Sequence, residues 1–153
     1  MTDLKGMQAA LDEARAAEAA DEVPVGAVVL FEGRIIARGQ NRVLRDNDPT
    51  AHAEMIALRA AALTIGNYRL AGCTLISTLE PCAMCAGAMI HARIDRLVFA
   101  ADDPKAGAAG SVLGVLNHAA LNHQMVLERG LLAEESAALL REFFQRRRSL
   151  PKA

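Results

Sequence analysis

Cysteine is scarce in this chain, with three in 153 residues, and two of those, Cys82 and Cys85, stand at a spacing that suits a metal. Cys73 is then left alone, which excludes a disulfide framework and points to a reducing compartment, the cytoplasm. Long apolar runs are missing too. No stretch approaches the roughly 18 residues needed to span a bilayer, and Met1-Thr2-Asp3-Leu4-Lys5 lacks the basic region and apolar stretch of a secretory leader, so no membrane association is expected. Charge of one sign is also lacking. The formal net charge is −1, so bulk electrostatics does not predict nucleic-acid binding, and any such binding must come from a local patch. Repeats, linkers and low-complexity tracts are absent. With 52% hydrophobic and 23% charged residues, the composition predicts one globular domain over residues 1–153, large enough to bury a core.

Two separated stretches concentrate the chemistry: Thr50-Ala51-His52-Ala53-Glu54 and Glu80-Pro81-Cys82-Ala83-Met84-Cys85. Cys82 and Cys85, three apart, share a face at the start of a helix, with Pro81 marking its first turn, where a missing N–H costs nothing. The helix dipole favours thiolates there. His52 and Glu54, two apart, would splay by about 200° inside a helix. A helix's first turn instead lets one reach a metal beyond the end and the other reach a water on that metal. Soft sulfur with imidazole selects zinc. Structural zinc sites close with four protein ligands, whereas His52, Cys82 and Cys85 leave a fourth position for water, whose pKa falls from about 15.7 to about 7. One zinc per chain is expected. The thiolates cancel the metal's charge, so the water still needs a base, and Glu54 is placed to be that base and later the acid. A redox or structural role for the cysteine pair remains the rival reading, and Glu54 discriminates against it, because structural zinc has no use for a spare carboxylate.

Along the chain, Leu4, Met7, Leu11 and Ala14 recur at three and four, predicting an amphipathic helix over about 3–20. The continuous apolar run from Val25 to Phe31, the turn at Glu32-Gly33 and the segment 34–38 predict a hairpin with a buried first strand. A polar loop over 39–50 delivers the chain to a helix over 53–63. Strands at 74–77 and 96–100, with the second cysteine helix from Pro81 to about His91 between them, give an alternating α/β pattern. The connection 102–124 is long for a compact domain, which marks it as functional, and it holds Asp103, Lys105, Asn117, His118, Asn122 and His123. The two histidines suit surface or RNA-contact roles. An edge strand over 125–128 follows, then a terminal helix over about 134–150. Its Leu139, Leu140, Phe143 and Phe144, with Arg146, Arg147, Arg148 and the following Lys152, suit either a core stripe with a cationic end or a platform for single-stranded RNA. Asn41 is either a turn residue or a reader of a base edge, since an amide both donates and accepts. Asp103, before Pro104, either caps its loop or accepts from a ribose 2′-hydroxyl.

The runs Glu22 to Val28, Asp48 to Glu54, Leu79 to His91 and Lys105 to Ser111 together resemble the bacterial tRNA adenosine deaminases, over nearly the whole chain. The H-x-E and P-C-x-x-C signature alone would suit any cytidine deaminase-like enzyme. The glycine-rich loop after Lys105 and the Phe143-Phe144 end of the last helix are narrower signals. The resemblance implies an α/β three-layer fold with a central mixed five-stranded sheet and helices on both faces, and a homodimer. It also implies hydrolytic deamination of the wobble adenosine in a tRNA anticodon stem-loop, usually of an arginine tRNA. In that family the Asn matching Asn41 contacts the base, and the Asp matching Asp103 lies by the target nucleotide's sugar. A deaminase of a free base or nucleoside, such as cytosine or guanine, is the alternative with the same zinc chemistry. A zinc-stabilised RNA-binding module without catalysis is a third.

Overall fold

A computed structural model describes residues 2–150, so Lys152 lies outside the described residues. Helix α1 spans Asp3–Ala19, strand β1 Gly26–Phe31, β2 Arg34–Gln40, α2 Ala53–Ile65, β3 Thr74–Leu79, α3 Ala83–Ala92, β4 Arg96–Ala101, β5 Val126–Arg129 and α4 Ala133–Ser149. The five strands form one sheet in the order β2-β1-β3-β4-β5. The first three are mutually antiparallel, and β3, β4 and β5 run parallel.

The buried runs in β1, β3 and β4 alternate their side chains between two cores, as the twofold period of a strand requires. Ala27, Val29, Leu75, Leu97 and Phe99 face the layer made by α2 and α3, while Val28, Leu30, Ile76, Val98 and Ala100 face Met7 and Ala10 of α1. Helix α4 packs beside α1 and against β3 and β4. The result is a three-layer α/β domain with a mixed sheet in the middle. Helix α1 begins with Thr2, whose hydroxyl accepts from Lys5 N at 3.2 Å, the usual N-cap arrangement.

Helix α2 lies close against β2 at one point. A Cβ on Gly39 of β2 would lie 2.3 Å from the Ala53 carbonyl oxygen and 2.7 Å from the Ala57 nitrogen, both α2 backbone. Only glycine allows β2 and the first turn of α2 to approach so closely. That first turn carries His52 and Glu54, so a packing constraint in β2 sets where the chemistry stands. Gly39→Ala is therefore expected to lower the free energy of unfolding by about 1–3 kcal/mol or more, as overpacking does, and to lower zinc content with it. Urea unfolding and elemental analysis at wild-type values would contradict this packing argument.

Candidate active site

His52 and Cys82 occupy equivalent positions. Each is the extended N-cap of a helix, His52 of α2 with φ −75° and ψ 153°, Cys82 of α3 with φ −75° and ψ 176°, and neither side chain caps its own helix. Both are thereby free to point past the helix end. Because Cys82 is extended, α3 begins at Ala83, two residues later than Pro81 suggested. Pro81 instead stiffens the approach to the cap, and its carbonyl accepts from Ala108 N at 2.8 Å. Cys85 follows on the first turn of α3 and is buried.

The three side chains converge. His52 Nδ1 lies 3.5 Å from Cys82 Sγ and 3.5 Å from Cys85 Sγ, and all three ligand atoms lie within 4.8 Å of one another. A tetrahedral zinc with Zn–S of about 2.3 Å and Zn–N of about 2.0–2.1 Å separates sulfur from nitrogen by about 3.5 Å. The donor set and its geometry therefore fit zinc. Hydrogen bonding from the Cys85 thiol pulls Cys82 down to about 3, and the same bond, with burial, pushes Cys85 up. A dication held between them would favour the thiolate form of both. His118 and His123 stand apart from this cluster: His118 Nδ1 accepts from Ala120 N at 3.1 Å, and a His123 ring nitrogen lies 2.6 Å from the Ile94 carbonyl oxygen.

Glu54, in the first turn of α2, is 4% exposed. Burial pushes its carboxyl up to about 7, opposed by its own backbone amide and by His52. A carboxyl in that range can both take and give a proton near neutrality, as general acid–base work requires. Glu54 and the candidate ligands His52 and Cys82 line a cavity of about 560 Å³.

Asn41 and Asp103 also line that cavity. The Asn41 amide oxygen accepts from Ala53 N at 2.8 Å, so Asn41 satisfies the first amide of α2 in place of the His52 side chain. Its amide nitrogen is left for another partner. Asp103 Oδ1 accepts from Lys105 N at 3.0 Å and Ala106 N at 3.2 Å, which is the loop-capping arrangement. The terminal helix adds Phe143, Phe144 and Arg147 to the lining. Phe143 is buried and Phe144 is 44% exposed, so the aromatic pair is divided between core and cavity rim.

Two further cavity residues carry no obvious signature in the sequence. Glu22 and Glu80 are both buried. Glu22 accepts from Leu44 N at 3.1 Å, Arg45 N at 2.9 Å and Arg45 Nε at 3.2 Å, holding the loop that follows Asn41. Burial raises each carboxyl, and hydrogen bonds outweigh that, leaving both below the usual carboxylate range. Glu80 adjoins the cysteine motif, but its partners are backbone amides and a serine far downstream, which no local pattern reveals.

Comparison with known proteins agrees with this geometry. The family described as the cytidine and deoxycytidylate deaminase zinc-binding region matches residues 1–101. A tRNA-specific adenosine deaminase of Haemophilus influenzae is 51% identical over 151 residues, covering 98% of this chain and 87% of that protein. A solved structure from work on A-to-I editing by tRNA:A34 deaminases at the wobble position superposes with a TM-score of 0.86 at 46% identity, covering 89% of this chain and 99% of that one. A guanine deaminase from Nitrosomonas europaea superposes with a TM-score of 0.79 at 32% identity, over 92% of this chain and 83% of that one.

If His52, Cys82 and Cys85 are the ligands, Cys82→Ala removes the metal and loosens α2 and α3, because metal binding and folding are coupled. Elemental analysis is expected to fall from one zinc per chain to near none. Full zinc in that variant would sink the ligand assignment.

Proposed function

The chain belongs to the bacterial tRNA adenosine deaminase family, and from that premise we propose that it converts the wobble adenosine of a tRNA anticodon, that of an arginine tRNA, to inosine, releasing ammonia. The observation that carries the proposal is Glu54, a buried carboxyl beside three convergent side chains that could hold zinc, on the wall of a nucleotide-sized cavity. Zinc, when held by His52, Cys82 and Cys85, would lower the pKa of a water at its open fourth position.

The remaining work falls to the chain's own residues. Glu54 takes a proton from the attacking water and hands it to the ring nitrogen beside C6, then takes the proton of the new C6 hydroxyl and gives it to the departing amine as the carbonyl forms. Asn41, whose amide oxygen is held by Ala53 N, presents its NH₂ to an acceptor on the base edge. Asp103, on the cavity wall with one carboxylate oxygen engaged in its own loop, accepts from the ribose 2′-hydroxyl of the target nucleotide.

A second hollow, of about 390 Å³, shares Asp103 and Phe144 with the first and is lined by Lys105, Arg141 and Arg148. It suits the flanking nucleotides of a splayed loop, with phosphates against the cations and a base against Phe144. This is the local basic patch that a net charge of −1 hides. No described helix is long and apolar enough to cross a membrane, and the work takes place in the cytoplasm, where tRNA is matured.

A homodimer is part of the proposal. Helix α3 buries Cys85, Ala86, Met89 and Ala92 but leaves Met84, Ala88 and Ile90 only partly covered, and a Cβ on Gly87 would meet nothing within 4 Å. Light scattering at micromolar concentration is expected to give twice the chain mass. The mass of a single chain would contradict the dimer.

The function is tested with purified protein, total tRNA, and sequencing for inosine, alongside free guanine, cytosine and adenosine. Inosine is expected at the wobble position of an arginine tRNA, with no turnover of free bases. Ammonia from guanine or cytosine with no inosine in tRNA would instead support the free-base reading. Glu54→Ala is expected to keep zinc and fold but lose at least about two orders of magnitude in rate, the typical lower contribution of a general acid–base group. Activity within a few-fold of wild type would move the proton transfer elsewhere.

A further inference from the structure

Glu80 is a buried carboxylate that the proton transfers above do not use, yet it lines the catalytic cavity and is 1% exposed. Its Oε1 accepts from Asp103 N at 3.0 Å and from the Ser111 hydroxyl, and its Oε2 accepts from Ala109 N at 2.9 Å and Ser111 N at 3.1 Å. All these donors come from the segment 103–111. Gly107 passes so close that a Cβ there would lie 2.4 Å from the Glu80 carboxyl carbon. The segment is thus wrapped around one anion, much as backbone amides in a nest surround a bound anion. Ionised carboxylates are tolerated in such places only with every lone pair engaged.

The same segment forms one wall of the cavity through Asp103 and Ala106. Asp103 receives the Lys105 and Ala106 amides on its own side chain while donating its backbone N–H to Glu80. The wall's shape therefore passes from Glu80 through the Asp103 backbone to the surface a nucleotide meets. A glutamine could not replace Glu80, because both oxygens accept from N–H donors and its NH₂ would face one of those sets.

We infer that Glu80 is a positioning residue: it fixes the 103–111 wall of the cavity and so orients the nucleotide for deamination. The kinetic part of this inference rests on the deaminase reading above, whereas the structural part does not.

The test compares Glu80→Gln and Ser111→Ala with wild type, reading zinc content, amide hydrogen exchange over 103–111, and kcat and KM on an RNA anticodon hairpin. Ser111 lies outside the cavity lining, so its replacement probes the same hold without touching the cysteine turn. Both variants are expected to keep one zinc per chain and to exchange the Asp103 and Ala109 amides faster. For Glu80→Gln, kcat/KM is expected to fall about 10- to 100-fold, the scale of a misplaced substrate, mainly through kcat. For Ser111→Ala the fall is about 2- to 5-fold, the loss of one hydrogen bond.

Unchanged exchange, or faster exchange with kcat/KM of Glu80→Gln within twofold of wild type, would overturn the inference. Loss of zinc from Glu80→Gln, with Ser111→Ala kinetically normal, would overturn it as well, by assigning Glu80 to the cysteine turn. A wild-type protein that leaves the hairpin unchanged would overturn the deaminase reading and the kinetic part with it. The exchange data would still decide whether Glu80 holds the wall.

Discussion

Convergence of three ligand atoms within 4.8 Å is the constraint on which the rest of the molecule depends. His52 and Cys82 belong to different helices, 30 residues apart in the chain, and each must leave its helix by the N-terminal end. Two helices can bring their N-termini together only if both lie on the same face of a sheet at close range. The small residues of α2 and α3 and the bare backbone of Gly39 permit that range. Zinc held by His52, Cys82 and Cys85 would secure what packing prepared, because an ion shared between the two N-caps would tie the helices together. The dipoles of both helices also point their positive ends at the thiolate cluster.

Around that centre the protein sets its inward-facing carboxylates in two kinds of surroundings. Glu54 has few donors, so desolvation wins and its proton affinity rises toward neutrality. Glu22 and Glu80 are less deeply set among protein atoms and are saturated with hydrogen-bond donors, so their carboxyls fall below the usual range and anchor the loops flanking the cavity. Depth of desolvation and the number of donors together set the direction in which each carboxyl shifts. Irregular loops thereby acquire fixed walls without regular secondary structure.

Much of this was legible in residue types, and the parts that were not share a cause. The zinc trio stood out because few side chains bind soft metals and their spacing is constrained by helix geometry. Strands β1, β3 and β4 announced themselves by apolar runs. A proline ahead of a cysteine suggests a first helical turn at Pro81, whereas Cys82 takes the extended N-cap conformation and α3 begins at Ala83. The aromatic pair at the end of α4 read as a stripe or a platform, and the packing divides it, one ring inward and one at the rim. Asn41 was visible as an amide at the end of a strand, but its bond to the first amide of α2 was not. Glu80 was least legible: its partners are mostly backbone N–H groups 23 to 31 positions away, and a backbone amide has no letter in the sequence.

The central claim is an open zinc site with three protein ligands, and X-ray absorption at the zinc edge on the purified protein tests it most directly. The account predicts one zinc per chain with two sulfurs at about 2.3 Å and two lighter atoms at about 2.0–2.1 Å, one of the latter exchangeable with solvent. Three or four sulfurs, or a fourth protein ligand that closes the site to water, would contradict it.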